Sequence, residues 1–254
     1  FDGVPAEVFV DDLLNSSWTF DQHCEDVDAT WTRCSEGGLA LKGKKVYLFW
    51  PELKYLGFLV SEQGRRPDPN RIKPILDWTL ERMIEKPMER VKKWLGLIGQ
   101  YQTFIPNFTL LTAPFWAAIS GGVDARSSLR SLRSLVSFSM LRGLLGLCVA
   151  IAVPDFTKRF YIMTDAATMV GGCAVLYQID SEGRPRPLGF WSKRFDKTEV
   201  GMCSRNAECY VVWAAVVKWK WAFKTGAVTI YTDHQSLKWL HTTVHKPNDM
   251  AITW

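Results

Sequence analysis

The chain has 254 residues, 47% of them hydrophobic and 22% charged, a balance that excludes a disordered polymer and allows one or two domains with real cores. The 31 Lys and Arg against 26 Asp and Glu give a formal charge of +5, a mild basic excess that suits a polyanionic partner without specifying one. Cys24, Cys34, Cys148, Cys173, Cys203 and Cys209 contain no C-x-x-C pair, which argues against a disulfide framework and for reduced, buried thiols in an intracellular protein.

Phe1-Asp2-Gly3 lacks the basic start and apolar stretch of a signal peptide, and the missing initiator Met suggests a processed or truncated product. Residues 1–62 read as short apolar runs and turns. Val8-Phe9-Val10 and Leu13-Leu14 flank Asp11-Asp12, predicting two strands that meet at a tight acidic turn. His23 beside Cys24, with Cys34 downstream, has the residue types for zinc, but the spacing fits no common zinc module. Val46 to Val60 predicts a second strand pair around Pro51.

Pro67-Asp68-Pro69 breaks the chain, and Ile72, Ile75 and Leu76 then recur at helical spacing. Val91, Leu95, Ile98 and Gln102 form another helical stripe after Pro87, ended by Pro106. Residues 65–118 therefore predict a small helical subdomain. Residues 120–146 are biased toward Ser, Leu and Arg, a low-complexity stretch read as a basic linker or a helix. Gly143 to Val153 carries no charge but is too short to span a bilayer, so it predicts a buried strand or helix.

From Pro154 onward the pattern is α/β. Phe160 to Thr164, Gly172 to Ile179, Leu188 to Ser192 and Val228 to Thr232 read as strands, with a helix over about Ser204 to Lys224. A helix of that length between strands predicts a parallel crossover. Asp165 and Asp233 each follow a Thr at a predicted strand end, so parallel strands bring them to one sheet edge. Glu208, Val212, Ala215, Trp219 and Ala222 share one helical face, which turns Glu208 toward the same edge. A carboxylate on an inward face is costly unless it is paired or holds a cation. Three carboxylates without a basic partner predict hard divalent cations, Mg²⁺ or Mn²⁺. Two ions about 3.5–4 Å apart suit phosphodiester cleavage.

The order TDAATMVGGCAVLYQ, FWSKRF, AECYVVWAAVVKW, VTIYTDHQSLKWL closely resembles the ribonuclease H domain of gypsy-class LTR retrotransposons over about Pro154 to Leu240. The resemblance implies that Asp165, Glu208 and Asp233 hold the metals. It places a fourth aspartate on a later helix, after a fifth strand, beyond Trp254. FDGVPAEVFVDDLLNSS resembles the family's reverse-transcriptase palm motif, KYLGFLVSEQGRRPDP its primer-grip hairpin, and VKKWLGLIGQYQTFIPNFTLLTAPF its thumb helices. The resemblance then implies catalytic, metal-binding roles for Asp11 and Asp12. The other palm aspartate, the nucleotide-binding segment and the fingers would lie upstream of Phe1.

The resulting expectation has four parts: partial palm at 1–62, thumb at 63–118, connector at 119–153, and an incomplete ribonuclease H-like domain at 154–254. The overall fold class is α/β and α+β. The implied activities are RNA-directed DNA polymerisation and two-metal cleavage of RNA in RNA–DNA hybrids. The alternative is a decayed or co-opted module that binds nucleic acid or protein without catalysis. Implied partners are primer–template or hybrid nucleic acid and the rest of the Pol polyprotein, in a cytoplasmic particle or the nucleus, with no membrane. Lys44 and Lys45 fall near the family's nucleotide-side lysines, although solvated surface lysines explain them equally. Lys92, Lys93, Arg65 and Arg66 are candidates for phosphate contacts. His241 and His245 lack the Glu of a zinc-protease motif. Trp78, Trp94, Trp116, Trp213, Trp219 and Trp221 are expected mostly in the core, with base stacking open to one or two.

Overall fold

The computed structural model describes residues 5–121, 124–224, 227–233 and 237. Strands β1 (Ala6–Phe9) and β2 (Asp12–Asn15) pair antiparallel with Phe9 opposite Asp12. The hairpin therefore closes through Val10 and Asp11 alone, and Val10 takes a φ of 55°, the left-handed backbone such short turns require.

Helix α1 (Phe20–Glu36) follows, capped by the Thr19 hydroxyl, which accepts the Gln22 N–H. No helix is expected in this region from the sequence. The reason lies in its inner edge, Asp26, Thr30 and Cys34, which is largely polar and shows no apolar stripe. Polar bonds hold it: Asn15 Nδ2 donates to the Thr30 hydroxyl at 2.8 Å, and Ser17 Oγ donates to the Asp26 carboxylate. Hydrogen bonds from Ser17 and Gln22 keep that carboxyl below its ordinary range.

The second hairpin, β3 (Glu52–Tyr55) and β4 (Phe58–Ser61), turns at Leu56-Gly57, both at positive φ. It lies wholly after Pro51, correcting the expected pair around that proline. Before it run a 3₁₀ turn, Gly43–Lys45, and Phe49 at a φ of 59°, neither compatible with a strand. The chain divides into two units after Glu62.

The second unit opens with β5 (Gly64–Pro67), joined to Ile151 by reciprocal backbone bonds of Arg65 at 2.9 and 2.8 Å. Helix α2 (Pro69–Leu76) starts at the Asp68 cap and α3 (Leu80–Glu85) at the Thr79 cap. Then come α4 (Pro87–Gly99) and α5 (Phe108–Ile119). Val91, Trp94 and Ile98 of α4 are fully buried.

Of the two expected readings of the Ser/Leu/Arg stretch, linker or helix, the helix holds. The stretch forms α6 (Ala125–Arg130), capped by Asp124, and α7 (Leu132–Gly146), capped by Ser131. Leu129, Phe138, Leu141 and Leu145 point inward, and the Trp94 ring meets Phe115 at 5.1 Å and Phe138 at 5.3 Å. This connector belongs to the core of the helical region, with α7 packed on α5 and α2. No helix among the described residues is long and apolar enough to cross a membrane.

A four-stranded sheet completes the unit: β6 (Phe160–Ala167), β7 (Gly171–Ile179), β8 (Pro185–Arg194) and β9 (Val228–Tyr231), in the order β8-β7-β6-β9. β6, β7 and β8 form an antiparallel meander. β9 runs parallel to β6 after the crossover helix α8 (Ser204–Lys218). Phe160, Ile162, Ala174, Leu176 and Leu188 meet Ala215, Trp219 and Ala222 beneath that helix. Thr109 of α5 bonds Ser192 of β8 through both its N–H and its hydroxyl, each at 2.9 Å.

Two expectations about exposure need correction. Trp116 is 51% and Trp213 38% exposed, because each falls on the outward side of a helix whose neighbours already fill the core. Cys203, expected buried, is exposed just ahead of α8. No cysteine among the described residues forms a disulfide.

Candidate metal centre

Parallel register fixes two of the acidic positions. Phe160 lies opposite Val228 and Met163 opposite Tyr231, so the chain segments carrying Asp165 and Asp233 leave the shared register at the same edge. Asp165 does not end its strand, as the sequence suggests; Ala166 and Ala167 extend β6 by pairing with Gly172 and Gly171. Glu208 comes from the first half of α8 and is only 2% exposed.

Ligand oxygens of Asp165, Glu208 and Asp233 lie within 4.8 Å of one another, the aspartates exposed and the glutamate buried. One Glu208 oxygen accepts the Ala166 backbone N–H at 3.0 Å, and the other accepts the Thr232 hydroxyl at 3.4 Å. Burial above all, then the negative charges of Asp233 and Asp165, push the Glu208 carboxyl up to about 7. Among the described residues no cationic side chain acts on it. Such a cluster concentrates carboxylates at one point, and its all-oxygen donor set fits a hard divalent cation. Cys173, opposite Asp165 in β7, is no rival ligand. Burial and both carboxylates push its thiol up to about 11, and the thiolate is the ligating form.

Among the described residues this is the one group of three or more His, Cys, Asp or Glu side chains suited to a metal. Asp11 and Asp12 stand in the other unit at the first hairpin turn, lining a cleft with His23, Lys45 and Trp50. His23, Cys24 and Cys34 do not gather: His23 Nδ1 contacts Ser17, and Cys34 is buried. Lys44, Lys45, Lys92 and Lys93 are exposed. Arg65 lies over the Phe104 ring at 5.7 Å. His241 and His245 lie outside the described residues.

Two orienting groups escape a reading of the sequence. The Ala166 N–H has no side-chain signal at all. Thr232 has a faint one, as the residue before Asp233.

Residues 155–254 match the family described as the RNase H-like domain found in reverse transcriptase. The chain is 27% identical over 244 residues to the Retrovirus-related Pol polyprotein from transposon opus of Drosophila melanogaster, covering 92% of this chain and 24% of that protein. Against the corresponding polyprotein from transposon gypsy the identity is 28% over 240 residues, 91% of this chain and 22% of the relative. A Schizosaccharomyces pombe relative, the Transposon Tf2-3 polyprotein, is 23% identical over 90% of this chain and 17% of its own length. The chain thus spans a quarter or less of these relatives. Among solved structures, the foamy viral protease-reverse transcriptase in complex with dsDNA has a TM-score of 0.75 at 20% identity, covering 96% of this chain and 49% of that one. The same viral protein in complex with an RNA/DNA hybrid has a TM-score of 0.71 at 19% identity, covering 94% and 31%.

Proposed function

From the homology of this chain with the Pol polyproteins of LTR retrotransposons, we propose that it is a reverse transcriptase/ribonuclease H fragment whose C-terminal sheet cleaves RNA in RNA–DNA hybrids with Mg²⁺. The observation carrying this reading is the convergence of Asp165, Glu208 and Asp233 within 4.8 Å. These three carboxylates would hold divalent cations, which would supply Lewis-acid polarisation of the phosphate and activation of water. Mn²⁺ is the expected substitute, since it accepts the same oxygen ligands and generally binds more tightly.

The chain's own groups divide the work. Asp165 and Asp233 are exposed and offer oxygens on the side open to a phosphodiester. Glu208 is fixed from behind by Ala166 and Thr232, so its ligating oxygen keeps its place as substrate arrives. Burial holds its carboxyl up at about 7, so a cation held there would displace a proton from Glu208 and would bind more tightly as pH rises. The exposed Lys92 and Lys93 of α4 are the candidates to meet the nucleic-acid backbone.

Residues 1–62 and 63–118 are read as parts of the palm and thumb of the same enzyme, with 119–153 as connector. Asp11 and Asp12 are read as metal-bearing carboxylates of RNA-directed DNA polymerisation in the longer protein. A hairpin tip is an apt carrier, because Asp11 in the turn and Asp12 at the start of β2 are adjacent and both exposed.

The test is a labelled RNA–DNA hybrid with Mg²⁺ and Mn²⁺ titrations. Cleavage is expected to disappear in Asp165→Asn and to survive Asp11→Asn. Residual cleavage indifferent to Asp165→Asn sinks the assignment. Hybrid binding without any cleavage by the intact chain favours a non-catalytic nucleic-acid module.

A further inference from the structure

The acidic cluster depends on a dimension that no carboxylate sets, namely how deeply α8 seats on β7. At Gly172 a β-carbon would lie 2.0 Å from Cγ2 of Val211 and 3.2 Å from its Cβ and Cγ1. Val211 is fully buried and packs with Phe195 and Ala207. A β-branched residue in a helix has one strongly preferred rotamer, so Val211 cannot swing clear. A side chain at 172 would have to lift the helix.

A second contact acts at the same level. Lys193 lies opposite Gly172 in β8, and its ammonium bonds both the Tyr210 hydroxyl and the Glu199 carboxylate. It also sits 4.8 Å from the centre of the Tyr210 ring. Tyr210 immediately precedes Val211. One cross-strand pair therefore leaves room for one helix residue and grips its neighbour. Glu208 lies about one turn before Val211, and its carboxylate reaches the Ala166 N–H at 3.0 Å.

We infer that Gly172 is a positioning residue for Glu208: by lacking a side chain it seats α8 at the depth where Glu208 joins Asp165 and Asp233. The purpose of that depth rests on the metal reading of the cluster; the seating itself does not. Gly172→Ala lifts the helix, stretches the Glu208–Ala166 bond and spreads the oxygens. Trimming the facing residue reverses this, because Val211→Ala removes the atom that collides.

The experiment compares the full chain with Gly172→Ala, Val211→Ala and the double variant. One readout is the Ala166 amide by NMR and hydrogen exchange, without metal. The other is Mn²⁺ affinity by calorimetry, with near-ultraviolet circular dichroism to verify the fold. Gly172→Ala is expected to deprotect the Ala166 amide and weaken Mn²⁺ binding about tenfold or more, the scale of loss when a ligand's supporting contacts are removed. The double variant is expected to recover both. An Ala166 amide unmoved by Gly172→Ala overturns the inference, as does a folded double variant that recovers neither readout. If Gly172→Ala does not fold alone, Val211→Ile applies a smaller wedge from the helix side, and the same readouts decide. A wild-type chain that fails to bind Mn²⁺ while the amide follows the expected pattern defeats the metal reading and leaves the positioning inference standing.

Discussion

The hydroxyl of Thr164 donates to the backbone carbonyl of Tyr231 across the parallel strand pair at 3.2 Å. Thr164 immediately precedes Asp165 and Tyr231 stands two residues before Asp233, so the bond clamps the two strands beside the cluster. Charge repulsion at that edge is then borne by a rigid frame.

The repulsion is measurable. After burial, Asp233 is the largest influence raising the Glu208 carboxyl, ahead of Asp165. Asp233→Asn is expected to bring the Glu208 titration down further than Asp165→Asn does. NMR titration of the side-chain carboxyl carbons in metal-free protein measures both. A larger drop in Asp165→Asn contradicts the arrangement.

The same group makes stability depend on pH. Its carboxyl lies at 4.5 ordinarily and about 7 in the folded chain, so the folded state binds the proton more tightly. The stabilisation is fully present below about 4.5 and is lost as pH rises through about 7, a difference on the order of 3 kcal/mol. Thermal melts in chelator are expected to show the Glu208-dependent part of stability falling from pH 5 to 8. Glu208→Gln should flatten that part, and Mn²⁺ should offset the loss at pH 8. A Glu208→Gln protein with an unchanged pH profile excludes this linkage.

Leu141 of α7 is fully buried although its sequence neighbourhood looks like a linker. Leu141→Ala is expected to cost about 2–4 kcal/mol in urea unfolding, the range for emptying a packed leucine site. Leu132→Ala, at a position 75% exposed, is expected to cost under about 0.5 kcal/mol. Equal, small effects at both positions would mean that α7 does not pack as described.

Cysteine exposure gives an independent check. Cys203 is exposed, while Cys34 and Cys209 are buried. Brief alkylation followed by peptide mass spectrometry is expected to modify Cys203 first and to spare Cys34 and Cys209 until denaturant is added. Early labelling of Cys209 would contradict the seating of α8.

Much of the α/β half is legible in the sequence because its signals are long-range patterns of apolar residues. Strands β6 to β9 lie close to the expected runs, and the stripe from Glu208 to Ala222 is buried throughout. The three acidic residues converge because strand direction and helical phase together determine an edge. What the sequence hides has physical causes. Helix α1 uses polar side chains for its inner edge, so no apolar period announces it. The Ser/Leu/Arg stretch has biased composition, yet its leucines still find a core. The seating glycine carries no pattern, since its contribution is an absent atom, and the Ala166 N–H is backbone and identical in any sequence.

The parallel pairing of β6 and β9 also governs timing. Antiparallel neighbours can zip from a nearby turn, but these two strands must wait for the whole crossover to be synthesised, Thr164 and Tyr231 being 67 positions apart in the chain. Closing so long a connection is slow compared with local hairpins. A nascent chain that has emerged only as far as β8 and α8 offers Asp165 and Glu208 but no enclosed ligand set. The acidic cluster therefore assembles late in biosynthesis, after the scaffold beneath it exists.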